Sequence, residues 1–411
     1  MPPIKRALIF LTGSAVAQAA ASLTGLLLAR WLIIEDYAIY TIMIAITGAV
    51  TVLTRSGVHL GFSTLLGRSW PDLTRAGQIL RAAVHLRRIV SMFMLPPVMA
   101  VTVYLLWENG AGSWLVLAML GLLFLYWWAD MRTQMLDQVL YFDKQTTKVQ
   151  TLDTLLSIAR ACFVATLFLS GGLTVIWAVM ASVGVAIARM VPIGIWVRRK
   201  LPQPPHELVP SDRETLRQTV MKEMPVTIFV VFQGQIVLLV LSLAATSAEV
   251  AGYGALTRIT QLLVPVQAFV FAFAVPIFAK RKAHLGRTLT TLVGLCTAPG
   301  LFLVATALVF PAGLLWLVGP NYADLHTEIV LACIMAMLIR TAGALRGLVS
   351  HRGWLTYNWL SIPINLAWIA AAPFVFDLGT ISGALMFQMG FSLGTITSAL
   401  VDFAVARKRG L

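Results

Sequence analysis

Long apolar stretches alternate with short polar segments along the whole chain of 411 residues. Because a helix needs about 20 apolar residues to cross the hydrocarbon core of a bilayer, each stretch predicts one membrane-spanning helix. An even number of spans places both ends of the chain on the same side of the membrane. The pattern predicts about twelve spans, near Ala7–Leu28, Tyr37–Leu53, Ile89–Leu106, Trp114–Met135, Thr151–Leu169, Leu173–Val197, Val226–Ala245, Gly252–Ala279, Leu289–Leu317, Ile329–Leu348, Leu355–Phe376 and Ile381–Ala404.

The composition agrees with this pattern, and the signs of the charges predict the orientation. Hydrophobic residues make up 59% of the chain and charged residues 12%, which is too apolar for a soluble domain. Basic residues collect in alternate connections, beginning with Lys5 and Arg6, as cytoplasmic loops do. Both termini are therefore predicted to be cytoplasmic. The net charge of +14 then reflects topology signals near anionic headgroups, so no nucleic-acid binding is predicted.

The longest polar interruption, Arg198–Glu223, divides the chain into halves of about six spans each. Similar acidic, alanine and tyrosine positions open the second span at Asp36 and the eighth span at Glu249, which favours an internal duplication. Such repeats place a central cavity between two lobes near the bilayer midplane. The predicted organisation is an N-terminal six-helix lobe at 1–200, a cytoplasmic linker with an amphipathic helix at 201–223 and a C-terminal six-helix lobe at 224–411.

Two segments have an amphipathic pattern and are predicted to lie along the inner headgroup layer. In Asp72–Arg88, basic side chains share one face and leucines share another. The second segment begins with Ser211 and Glu214, whose spacing fits a capping box. Membrane anchoring is the favoured role of both segments, and docking of a lipid-linked anion is the alternative.

Charged side chains inside predicted spans are functional candidates, because a charge in the membrane interior is costly unless it is paired or hydrated. Arg160 lies in the fifth span and Arg258 in the eighth, where Arg258 shares a helical face with Gln261 and Pro265. A proline there removes a backbone hydrogen bond and lets the helix bend. An ion pair between Arg160 and Asp153 is the structural alternative.

Polar side chains also recur at helical spacing on several spans, which predicts a cavity lined by polar groups. Hydrogen bonding between helices is the alternative for the uncharged positions. Arg189 lies nearer the inner end of its span and is predicted to snorkel. The recurring positions include Gln18 in the first span, Asp130, Gln134, Asp137 and Tyr141 in the fourth, and Asn365 in the eleventh.

Arginine side chains in a cavity suit a phosphate-bearing or otherwise anionic substrate, since guanidinium groups stay charged and bind phosphate oxygens in pairs. Polar groups beside them suit sugar hydroxyls. The three cysteines show neither disulfide nor metal-ligand spacing, and a P-loop of the form GxxxxGK[ST] is absent. No cofactor, no metal and no nucleotide hydrolysis are predicted.

Three stretches carry a resemblance to a known family. Leu26–Tyr40 reads LLLARWLIIEDYAIY, and Ala248–Gln261 reads AEVAGYGALTRITQ. The third stretch is Asp324–Arg340, which follows Val318–Tyr322 and enters the tenth span. Together they resemble bacterial polysaccharide flippases of the O-antigen and exopolysaccharide type, in the multidrug/oligosaccharidyl-lipid/polysaccharide exporter (MOP) superfamily. With the span count, this resemblance covers essentially the whole chain.

The resemblance implies a multi-pass transporter with a MATE-like fold in the bacterial inner membrane. It implies that a polyprenyl-pyrophosphate-linked oligosaccharide is moved from the cytoplasmic to the outer leaflet by alternating access, with membrane lipids and other polysaccharide-assembly proteins as further partners. On this interpretation Arg258→Ala abolishes transport and Arg189→Ala is mild. The implied roles are substrate binding for Arg258, Arg160, Gln18, Gln261 and Asn365, gating or structure for Arg30 and Pro265, and ion coupling for Asp130 or Asp137.

Other functions make different demands on the sequence. An ion-coupled drug or metabolite antiporter of the same superfamily shares the fold, but a cation exporter needs a carboxylate-rich cavity, and arginines are at least as prominent here. An integral membrane glycosyltransferase or polymerase needs a sizeable outer loop with catalytic groups, and the predicted outer loops are short. A scaffold for polysaccharide assembly is a third alternative, and it does not account for the polar stripes.

Overall fold

The computed structural model describes residues 3–408 except 56, 202–208, 262, 265–273, 275–277, 279–283, 351, 353 and 355, and the described part contains helices but no strand. Short 3-10 turns at Pro320–Tyr322, Asn358–Leu360 and Ala372–Phe374 join some of the helices. The helices are α1 (Pro3–Trp31), α2 (Ile34–Arg55), α3 (Val58–Ser69), α4 (Leu73–Glu108), α5 (Ser113–Phe142), α6 (Thr146–Leu169), α7 (Val175–Lys200), α8 (Pro210–Ala244), α9 (Ser247–Gln261), α10 (Leu285–Val309), α11 (Pro311–Val318), α12 (His326–Ser350), α13 (Ser361–Ala371) and α14 (Ile381–Lys408).

The predicted all-α membrane fold is confirmed. Nine helices of the described part are long and apolar enough to cross a membrane, and they coincide with nine of the predicted spans. The first predicted span lies in α1, and the eighth begins in α9 and continues into residues outside the described part. The eleventh corresponds to α13 with a 3-10 turn at each end. The ninth is interrupted, because α10 ends at Val309 and a new helix, α11, begins at Pro311.

The chain forms two compact units. The first contains Met1–Ala21 and Glu35–Ile236, and the second contains Ser22–Ile34 and Val237–Leu411. The boundary between the two units at Ile236 and Val237 falls inside α8. The lobe boundaries expected from the sequence stay a prediction.

In the first unit, α5 and α7 pack along each other, and α4 packs on α5 and on the short helix α3. An apolar core of α3, α4 and α5 side chains, including Phe62, Ile79 and Val139, lies beside them. The turn between α2 and α3 is tight: Gly57 has φ +67°, and a Cβ atom there would meet the backbone of Val220 in α8. Only glycine fits such a position without strain.

In the second unit, α12 packs against α10 and α14, and the end of α1 is fixed against α11. Arg30 donates a hydrogen bond to the carbonyl oxygen of Trp316 (2.9 Å), and its guanidinium lies 4.8 Å from the centre of the Trp316 ring. Gly319, at φ +126°, leaves room for the Arg30 backbone. The two roles expected for Arg30, gating or structure, stay predictions.

The predicted surface helix at Asp72–Arg88 is wrong in one respect, because this segment continues without a break into the third span as the 36-residue helix α4. Asp72 caps its start by accepting a hydrogen bond from the Arg75 backbone N–H. Arg87, which lies in this segment, is completely buried. It donates to the carbonyl oxygens of Thr54 (3.3 Å) and Met131 (3.1 Å) and to the carboxylate of Asp130 (2.9 Å). Arg87 therefore ties α4 to the C-terminal end of α2 and to α5.

The predicted capping box at Ser211 also differs from the structure. Helix α8 begins at Pro210, so Ser211 already lies within its first turn. The carboxylate of Asp212 accepts a hydrogen bond from Arg75 of α4 at 2.5 Å. The start of α8 is therefore held to α4 by an ion pair.

The burial of Arg87 predicts a large effect on stability. The variant Arg87→Ala removes the arginine donor of the Asp130 carboxylate and of three helix carbonyls. Breaking a buried pair in this way costs about 3–5 kcal/mol. The exposed neighbour Arg88, on the same helix, is the control, and Arg88→Ala is expected to change the stability by less than about 0.5 kcal/mol. Thermal unfolding of the two variants in detergent measures the difference, and equal stabilities would contradict the role given to Arg87.

Candidate functional site

A polar cavity of about 810 Å³ lies within the first unit. This volume is in the range of about 300–1,000 Å³ that is typical of ligand sites. Five of the six lining helices, α1, α2, α5, α6 and α7, were predicted as spans; the sixth, α3, was not. The lining side chains that carry charge or hydrogen-bonding groups are Gln18, Thr47, Arg55, His59, Tyr126, Asp130, Thr133, Gln134, Asp137, Gln138, Tyr141, Arg160, Ser182 and Arg189.

Helix α5 supplies one wall of this cavity. Residues three or four apart lie on the same face of a helix, and the stripe of Asp130, Gln134, Asp137 and Tyr141 that the sequence indicates does line the cavity. Tyr126, one turn before Asp130, extends the stripe. At a rise of about 1.5 Å per residue, the two tyrosines stand roughly 22 Å apart along the helix. The wall therefore has an aromatic side chain at each end and carboxylate and amide groups between them.

The carboxylate of Asp130 is bound by two side chains, one of which, Arg87, lies behind the cavity wall. One oxygen accepts a hydrogen bond from Arg87 (2.9 Å), and the other accepts one from the side-chain amide of Gln134 (2.7 Å). An aspartate in this setting is paired and hydrogen-bonded, which is what the burial of a carboxylate requires. Its negative charge is offset by Arg87.

The carboxylate of Asp137 is bound by Arg189 of α7, and this overturns the prediction that Arg189 snorkels. Arg189 donates through Nη1 to Asp137 (2.8 Å) and through Nε and Nη2 to Asp153 of α6 (2.6 and 3.3 Å). One guanidinium thus connects α5, α6 and α7. We call these three side chains the Arg189 triad. Two acidic partners inside the helix bundle hold the side chain there more strongly than the membrane surface attracts it.

Arg160 also has a different partner from the one considered in the sequence. Because Asp153 is bound to Arg189, the Arg160–Asp153 ion pair does not form; Arg160 instead donates to the hydroxyl oxygen of Tyr40 at 2.9 Å. Arg160 takes part in none of the ion pairs among the described residues, and its buried Nε has no hydrogen-bond partner there. A positive charge in the cavity wall is therefore left without a carboxylate.

Three of the predicted substrate-binding residues belong to the second unit. Arg258 donates to the side-chain oxygen of Gln261 at 3.3 Å, so the two do share a helical face. Arg258 also packs on α1 at Gly25, where a Cβ atom would come within 2.9 Å of its side chain. Asn365 is buried in α13 against Gly394 of α14. Pro265 lies outside the described residues, and the roles of these residues stay predictions.

Four side chains that line the cavity were not predicted as site residues: Arg55, His59, Gln138 and Ser182. Arg55 ends α2 and looked like one more basic residue of a cytoplasmic connection. His59 lies in α3, a helix too short to be recognised as a span. Gln138 accepts a hydrogen bond from Ser63 of α3 at 3.4 Å, so this short helix adds a second layer to the cavity wall. For Gln138, the available sequence signal was its position four residues after Gln134 on α5.

Comparisons with known proteins identify the fold. No protein-family model matches the sequence, and no curated protein matches it. Among solved structures, the lipid II flippase MurJ in an inward closed conformation is similar with a TM-score of 0.73 at 10% identity, over 97% of this chain and 87% of that chain. An inward-facing multidrug resistance MATE family transporter of the MOP superfamily is similar with a TM-score of 0.71 at 15% identity, over 96% and 94% of the two chains.

A third similar structure is an outward-facing MATE family transporter, with a TM-score of 0.65 at 12% identity over 100% of this chain and 96% of that chain. The chain therefore has the same fold as these proteins, and it spans nearly their full length. Identities this low define the fold and leave the substrate open.

The environment of His59 predicts a pH dependence. Burial, together with the positive charges of Arg55 and Arg87, lowers the pKa of His59 from 6.5 to about 4. The unfolded chain therefore takes up this proton first as the pH falls. The contribution of His59 to stability is complete above pH 6.5 and is lost as the pH falls towards 4. An NMR titration of labelled histidines measures the pKa, and a midpoint near 6.5 for His59 would contradict its placement in the wall.

Proposed function

We propose that this protein moves a polyprenyl-pyrophosphate-linked oligosaccharide from the cytoplasmic to the outer leaflet of the bacterial inner membrane, for the synthesis of a cell-surface polysaccharide. The substrate head group enters the cavity, while the apolar lipid tail stays in the bilayer. Alternating access then exposes the head group to the other side. Membrane lipids and other polysaccharide-assembly proteins are the proposed partners, and both termini are proposed to be cytoplasmic.

The observation that carries this proposal is an imbalance of charge in the cavity: its carboxylates are bound to arginines, whereas Arg55 and Arg160 take part in none of the ion pairs among the described residues. Asp130 is bound to Arg87 and Asp137 is bound to Arg189, so neither offers an uncompensated negative charge to a cation. Arg160 faces the same cavity, and its acceptor among the described residues is the Tyr40 hydroxyl. Since a guanidinium binds phosphate oxygens well, the cavity is better suited to an anionic head group than to a cationic drug.

The uncharged lining supports a sugar as the rest of the head group. Tyr126 and Tyr141 provide aromatic faces, which pack on the apolar faces of sugar rings, while Gln18, Gln134 and Gln138 provide donors and acceptors for hydroxyl groups. A simple inorganic anion is too small to contact polar side chains along the whole length of this wall. The similarity in fold to a lipid II flippase agrees with this substrate class.

The test is made in cells that lack the gene. We expect completed lipid-linked oligosaccharide to accumulate in the inner leaflet and surface polysaccharide to disappear, and the wild-type gene to reverse both effects. The variant Arg160→Gln is expected to lower transport roughly tenfold or more, because a hydrogen bond to a charged group contributes ~1.5–3 kcal/mol.

The control variant is Arg199→Gln, which removes an exposed arginine at the end of α7 and should transport normally. Unchanged surface polysaccharide in the deletion strain, with no accumulated intermediate in a strain without other flippases, would contradict the proposed function. Full activity of Arg160→Gln at normal expression would remove Arg160 from the mechanism.

An ion-coupled exporter of small cationic molecules is the second candidate. The observation that favours it is the fold, because multidrug resistance MATE transporters match this chain about as well as the lipid II flippase does. Extrusion of a cationic dye by cells that overproduce the protein distinguishes the two functions. Dye extrusion that is lost in the deletion strain would support the exporter.

A further inference from the structure

The Arg189 triad differs from the other ion pairs of the cavity, because one cation serves two carboxylates. Arg189 offers three nitrogen atoms, and all three donate to a carboxylate oxygen within 3.3 Å. Its side chain is about one-fifth exposed, and both Arg189 and Asp137 reach the cavity surface. The pair formed by Arg87 and Asp130 is different, since the Arg87 side chain is fully buried. The triad therefore presents a charge arrangement directly to a ligand.

We infer that Arg189 determines the charge specificity of the cavity: by occupying Asp137 and Asp153, it prevents them from binding a cation and so leaves Arg55 and Arg160, the cavity arginines outside the described ion pairs, to select an anionic substrate. The inference rests on the proposed function and adds a residue to it. The role is one of specificity, because the Arg189 nitrogens are occupied by carboxylates and are not offered to the substrate.

The reasoning follows from the charges around the cavity. Arg55, Arg160 and Arg189 line it, together with Asp130 and Asp137. Loss of Arg160 removes a positive charge and exposes no carboxylate, because neither aspartate is bound to it. Loss of Arg189 removes the same amount of charge but leaves Asp137 and Asp153 without their donor. Only the second change creates a site for a cation, although both change the net charge equally.

The experiment is equilibrium binding of tetraphenylphosphonium, a permanently charged lipophilic cation, to the purified full-length protein in nanodiscs. Wild-type protein and Arg160→Gln are expected to bind it weakly. Arg189→Gln is expected to bind it roughly tenfold more tightly, since a unit charge a few ångströms away interacts strongly in a partly buried site. Binding is measured at neutral and alkaline pH, so that protonation of a released carboxyl group does not conceal it.

Two further variants separate specificity from general structural damage. The triple variant Arg189→Gln, Asp137→Asn, Asp153→Asn keeps the loss of Arg189 but removes the carboxylates, and it is expected to lose the added affinity for the cation. The double variant Asp137→Asn, Asp153→Asn keeps Arg189 and releases its guanidinium, so it is expected to bind inorganic pyrophosphate more tightly than wild type. This second measurement does not depend on whether Arg189→Gln folds.

The outcomes are distinct. If folded Arg189→Gln shows no gain at either pH, or if Arg160→Gln gains as much as Arg189→Gln, the inference is overturned while the proposed function stands. If Arg189→Gln does not fold and the double variant shows no gain for pyrophosphate, the inference is also overturned. Tight binding of tetraphenylphosphonium by the wild-type protein would instead contradict the proposed function.

Discussion

The low tolerance of an apolar helix bundle for uncompensated charge organises the first unit. Each carboxylate in or behind the cavity wall is bound to an arginine from another helix: Asp130 to Arg87, and both Asp137 and Asp153 to Arg189. These contacts fix the rotation of α4, α5, α6 and α7 about their own axes, because a helix that turned away would leave a charge unpaired. The same contacts decide which charges remain for a ligand. Packing and selectivity therefore depend on one set of ion pairs.

Much of the fold could be predicted from the sequence, because a long apolar stretch has few alternatives to a membrane helix. The polar face of α5 could also be predicted, since the spacing of Asp130, Gln134 and Asp137 places them on one side. The ion-pair partners of these aspartates could not be predicted. Periodicity shows which residues share a face but not which neighbouring helix the face meets. Arg160 was therefore considered as the alternative partner of Asp153, whose partner in the structure is Arg189.

The positions of the basic residues along the sequence do not predict their partners either. Arg87 and Arg189 both lie near the inner ends of predicted spans, where an arginine is usually a topology signal or snorkels to the headgroups. In the structure Arg87 is buried and Arg189 binds two carboxylates. Only the position of an acidic residue on a neighbouring helix separates the two outcomes, and that position depends on tertiary packing. Arg55 and Arg160 are the cavity arginines outside the described ion pairs, and the proposed anionic substrate follows from these two charges.

The central claim, that the cavity selects an anionic head group attached to a lipid, is tested most directly by equilibrium binding of farnesyl pyrophosphate to the purified protein in nanodiscs. Farnesol, with the same tail and no phosphate, is the matched control. The account predicts saturable binding of farnesyl pyrophosphate that inorganic pyrophosphate displaces, and no saturable binding of farnesol. Equal binding of the two lipids, or a failure of pyrophosphate to compete, would contradict it.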